Sequence, residues 1–87
     1  MTTYLITYDL RGSRDYEALI DAIKGYPKWA RIMDSTWAIC TSNSASGVRD
    51  ALKKTMETGD RLFVLKSGVQ AAWSNVECSN DWLKENL

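Results

Sequence analysis

The sequence predicts an α+β fold in which an antiparallel sheet carries two helices on one face. Two observations predict it. Segments of β-branched and aromatic residues, bounded by turn residues, recur along the chain. Between them lie two segments with apolar residues at i, i+3 and i+4, the spacing of one helical face.

Residues 3–9, Thr3-Tyr4-Leu5-Ile6-Thr7-Tyr8-Asp9, form the first strand. Ser13 can cap the next helix, with Asp15 and Glu17 in its first turn, where negative charge suits the dipole. Tyr16, Leu19, Ile20 and Ile23 share its apolar face; Gly25 ends it and Pro27 prevents its continuation. Residues 29–33 and 36–41 make a hairpin around Asp34-Ser35. Ser42-Asn43-Ser44 leads into a second helix, where Val48, Ala51, Leu52 and Thr55 keep the helical spacing, Lys53 and Lys54 lie near the end, and Gly59 stops it. Residues 61–66 are the fourth strand, Gly68 turns the chain, and 69–73 add a fifth. Ser79 caps a short terminal helix over 80–86. Strand, helix, strand, strand, helix, strand is the split βαβ, or ferredoxin-like βαββαβ, plan. Residues 1–87 read as a single domain without repeat, linker or low-complexity tract.

Both faces of two strands are apolar. Leu5 and Thr7 oppose Tyr4, Ile6 and Tyr8, while Leu62 and Val64 oppose Phe63 and Leu65. Two helices cover one face. The other needs the C-terminal segment or a second sheet, and a two-fold homodimer is the economical cover. Four Trp and four Tyr among 87 residues point the same way.

Composition narrows the chemistry. Eleven basic and eleven acidic side chains cancel, which argues against a protein that coats nucleic acid by bulk charge. Histidine is absent, excluding imidazole bases, His-containing triads and His-ligated zinc within one chain. Cys40 and Cys78 have no metal-ligand spacing and frame no disulfide scaffold. With no signal peptide and no membrane-length apolar stretch, the expected setting is the cytoplasm, with no membrane partner. Catalysis, if any, runs through carboxylates, hydroxyls, thiols, Lys or Arg.

Asp9 is the residue to weigh first. A carboxylate at a strand end can hold a hard cation such as Mg²⁺; it can equally cap the turn Arg11-Gly12-Ser13. Trp29, Trp37, Trp73 and Trp82 read as core or interface, and Lys53-Lys54 as a solvated helix end. Arg31, beside Trp29 and Ile32, reads as structural, stacked on a ring or paired with Asp34.

Tyr8-Asp9-Leu10 after an apolar strand, followed by Arg31-Ile32, Ser35 and Trp37, resembles the CRISPR-associated protein two family. Ser35-Thr36-Trp37 and the tail Asp81-Trp82-Leu83-Lys84 look closest to its SinR-like branch, with VapD-like proteins as further relatives. Met33 stands where that family usually has Gln.

The resemblance implies a homodimer whose two Asp9 side chains face each other across the two-fold and share a magnesium ion. Asp9 is then both the metal and the catalytic position of an endonuclease acting on RNA or DNA. Arg11, Arg14 and Ser35 are the nucleic-acid-facing residues under the same resemblance. The alternative is the same dimer without catalysis, a scaffold or inhibitor module binding nucleic acid or a partner protein.

Overall fold

β1 (Thr2–Asp9) is an interior strand of a four-stranded antiparallel sheet. The computed structural model describes residues 1–11, 16–68 and 70–87. After β1 come α1 (Tyr16–Lys24), β2 (Lys28–Met33), β3 (Thr36–Thr41), α2 (Ala45–Lys53), β4 (Arg61–Lys66) and α3 (Asn80–Asn86). The strands lie in the order β2-β3-β1-β4. Thr7 of β1 stands opposite Thr36 of β3 on one side and Phe63 of β4 on the other. β2 pairs with β3, with an irregularity between Arg31 and Met33.

The pleat sends Tyr4, Ile6 and Tyr8 to one face, where they pack with Trp37 and Ile39. α1 and α2 cover this face with Leu19, Ile23, Val48 and Leu52, all fully buried. The Gly25 amide closes α1 on the carbonyls of Asp21 and Ala22, and Pro27 follows. Ser13 and Asp15, expected at the start of this helix, lie outside the described residues. At α2 the Ser44 hydroxyl accepts from the Gly47 amide at 3.0 Å. This helix stops at Lys53, well before Gly59. Both the amide and the hydroxyl of Thr55 donate to the Leu52 carbonyl, so the side chain joins in closing the last turn.

On the opposite face Leu5, Ile32 and Ala38 pack against Leu83 of α3, together with Trp73, Val76, Trp82 and Leu87. The Ser79 hydroxyl accepts from the Trp82 amide at 3.0 Å. The Thr3 hydroxyl donates to the Asn86 carbonyl and the Glu77 amide to Ile32 O at 2.9 Å, tying the segment to β1 and β2. Val69 lies outside the described residues, and 70–73 form no strand. Trp73 instead joins the second cluster, its indole N–H donating to Asn80 Oδ1 at 3.0 Å. The C-terminal segment is therefore a cover for the sheet and not a fifth strand. That cover stops short of β4, where Phe63 stays 58% and Leu65 50% exposed.

Cys40 is buried, Cys78 half-buried, and both are free thiols. Burial pushes the Tyr26 phenol above its ordinary value. Among the described residues no helix is long and apolar enough to cross a membrane.

Candidate functional site

Asp9 ends β1, and the antiparallel register sets it opposite Arg61, the first residue of β4. Arg11 Nη1 donates to Asp9 Oδ2 at 3.1 Å, and Arg61 Nη1 lies 3.6 Å from the same oxygen. The Asp9, Arg11 and Arg61 side chains are 52%, 52% and 69% exposed. Ion pairs this wet contribute about 0–1 kcal/mol each, so either guanidinium can turn to another anion at little cost.

The loop carrying Arg11 is anchored from below by Asp60. Its Oδ1 accepts the Arg11 amide at 2.7 Å and its Oδ2 the Glu57 amide at 2.9 Å. The Arg11 backbone is thus fixed to the turn before β4 while its side chain stays at the surface. A shallow cavity of ≈ 320 Å³ opens beside the pair, lined by Thr7, Tyr8, Asp9, Arg61, Leu62 and Phe63.

Of the residues expected here from the sequence, Asp9 and Arg11 come together. Arg14 lies outside the described residues. Ser35 shares the same end of the sheet, since its carbonyl accepts the Tyr8 amide at 3.1 Å. It sits on the β3 side, however, lining a separate cavity with Asp34, Asn75 and Glu77.

Arg61, Asp60 and Phe63 are the additions that sequence reasoning missed. A signal for Arg61 existed: once β4 is placed antiparallel beside β1, the last residue of one faces the first of the other. Arg31 stands apart, its guanidinium 5.0 Å over the Trp37 ring and donating to the Asp34 carbonyl at 3.0 Å. Trp37 is buried, Trp73 and Trp82 belong to the second cluster, and Trp29 tilts against Trp37 at 5.6 Å. None of the four lines the Asp9 cavity.

Magnesium wants near-octahedral oxygen ligation, usually with one or two carboxylates and several waters. Among the described residues no group of three or more Cys, Asp or Glu side chains is placed to hold a metal. Asp9 brings one carboxylate, with one oxygen shared by two guanidiniums. A guanidinium about 5 Å from a divalent cation opposes it by roughly 1–2 kcal/mol even in water-like dielectric. Within one chain these residues do not fit a magnesium site: Asp9 and Asp60 balance Arg11 and Arg61 in charge, and the two exposed guanidinium forks are the groups placed to meet an anion. No family model matches the chain, and no solved structure matches it.

Proposed function

We propose that the chain is a non-catalytic scaffold that works as a homodimer and receives a phosphate-bearing nucleic-acid strand at the Asp9–Arg11–Arg61 end of its sheet. The observation that carries this reading is the single Asp9 oxygen held by Arg11 at 3.1 Å and approached by Arg61 at 3.6 Å. Two guanidinium forks against one carboxylate suit a phosphate, which can take both by charge-assisted hydrogen bonds. Exposed Phe63, in the same cavity, offers a face on which an unpaired base can stack.

The order of elements and strands supports a ferredoxin-like arrangement for the domain. It is also compatible with membership of the CRISPR-associated protein two family, which stays a proposal resting on Tyr8-Asp9-Leu10 and Arg31-Ile32, Ser35 and Trp37. Homodimerisation is supported by the uncovered Phe63 and Leu65. The cytoplasm, which keeps both thiols reduced, is the setting this reading assumes.

With zero overall charge, affinity should be modest and salt-sensitive, in the range of about 1–100 μM. Fluorescence anisotropy with labelled single-stranded RNA and DNA at two salt concentrations tests it. Arg61→Ala and Arg11→Ala should each weaken binding roughly three- to tenfold and lower the salt slope by about one. Wild-type protein that binds no oligonucleotide at about 100 μM would leave the nucleic-acid reading without support.

A further inference from the structure

We infer that β4 is the edge through which a second copy of this chain joins the sheet, strand to strand, with the two-fold axis at Val64. The inference rests on the homodimer reading above and specifies its geometry. β2 and β4 are the two outer strands. The edge of β2 is met by the C-terminal segment through the Glu77 amide. Among the described residues no backbone partner stands outside β4.

The register says which groups that open edge presents. Ser67 N–H donates to Thr3 O, and the Tyr8 amide donates to Ser35 O on the other side of β1. With Thr7 opposite Phe63 and Leu5 opposite Leu65, alternation turns the amides and carbonyls of residues 61, 63 and 65 towards β1. Those of Leu62, Val64 and Lys66 therefore point outwards. Six residues of open edge, Arg61–Lys66, form a template for another strand.

A second β4 fits it. With Val64 against the partner's Val64, the outward groups of Leu62 meet those of the partner's Lys66, and the reverse. Phe63 then lies beside the partner's Leu65 on the uncovered face, an aromatic-aliphatic cross-strand pair on each side of the axis. Charges are compatible in this register. Arg61 stands opposite the partner's Ser67, and the pleat puts it on the other face from the partner's Lys66. That lysine, opposite Leu62, lies at the rim of a cavity where Leu62 is joined by Glu57 and Asp60 as well as Arg49 and Lys53. Arg49 there is paired with Asp50 at 3.0 Å.

This geometry separates the two Asp9 carboxylates. Three residues along the strand and one and a half strand spacings from the axis put them roughly 25 Å apart. A shared metal requires them within about 5 Å. The edge dimer carries two independent anion sites, one at each end of a continuous sheet. A six-residue edge buries less than a standard interface, so the dimer should dissociate on dilution.

Proline tests the edge, because it removes an N–H that only the partner uses. Light scattering over a dilution series, with melting curves, is run on wild type, Val64→Ala, Val64→Pro and Lys66→Pro. Wild type and Val64→Ala should reach dimer mass near 100 μM, whereas both proline variants fold but dimerise roughly tenfold more weakly or not at all. Lys66→Pro guards against loss of packing at Val64, since the Lys66 side chain is exposed. A monomeric wild type at that concentration overturns the dimer reading and this inference together. Proline variants that dimerise like wild type overturn the edge geometry alone. If both proline variants unfold, because proline also restricts the strand backbone, Leu65→Lys decides: this exposed side chain lies beside the partner's Phe63, so the variant should fold and dimerise roughly tenfold more weakly, and one that dimerises like wild type overturns the edge geometry.

Discussion

Asp9 and Arg61 face each other across the β1–β4 ladder, with Arg61 Nη1 3.6 Å from Asp9 Oδ2. The same oxygen takes Arg11 Nη1 at 3.1 Å. On the scaffold reading proposed above, a phosphate at this end of the sheet would compete with Asp9 for both guanidiniums, and Asp9 would weaken its binding while keeping the two arginines gathered.

Tyr8 carries a polar chain through the first core. Its hydroxyl accepts from the buried Trp37 indole at 3.2 Å and donates to the Asp34 carbonyl at 3.2 Å. Tyr8→Phe strands the indole N–H in an apolar environment and should cost about 1–3 kcal/mol. Urea unfolding of both proteins measures it. A change within experimental error would contradict this account of the pair.

α3 is held by its cap, by buried Leu83 and by the bond from the Thr3 hydroxyl to the Asn86 carbonyl. Ser79→Ala should cost about 1 kcal/mol through loss of the Trp82 amide's acceptor. Leu83, 1% exposed between Ile32 and Ala38, should cost roughly 2–5 kcal/mol on change to Ala. A Leu83→Ala variant as stable as wild type in calorimetry would mean that α3 does not cover the sheet.

Much of the architecture was legible because local signals and tertiary demands coincide. Ser44 and Ser79 are caps in both sequence pattern and structure, and 36–41, 61–66 and 80–86 keep their expected bounds. The failures came where backbone or side-chain groups found other partners. α2 gave way after Lys53 to a tighter turn, in which the Thr55 and Met56 amides donate three residues back to the Leu52 and Lys53 carbonyls. Trp73 joined the second cluster in place of a fifth strand. At the site, Asp9 was legible as a strand-end carboxylate, but its neighbours depend on sheet order, which no local pattern states. Hence Arg61 was passed over, while Ser35 lies at the same end of the sheet but on its β3 side.

Arg31 should matter for stability and not for binding. Its guanidinium lies over Trp37 and reaches the Asp34 carbonyl, away from the Asp9 cavity. Arg31→Ala should lower stability by about 1 kcal/mol, with oligonucleotide affinity unchanged. A variant of full stability that has lost binding would place Arg31 in the interface with nucleic acid.

The most direct measurement of the central claim is Asp9→Ala, assayed for binding and for Mg²⁺-dependent cleavage of the same labelled oligonucleotides. Removing the resident carboxylate leaves Arg11 and Arg61 to the phosphate alone. Binding should tighten roughly two- to tenfold, the worth of two exposed ion pairs. Neither protein should cut. A wild type that cleaves with magnesium, and an Asp9→Ala variant that binds no better and no longer cleaves, would contradict the scaffold account and restore Asp9 as a metal ligand.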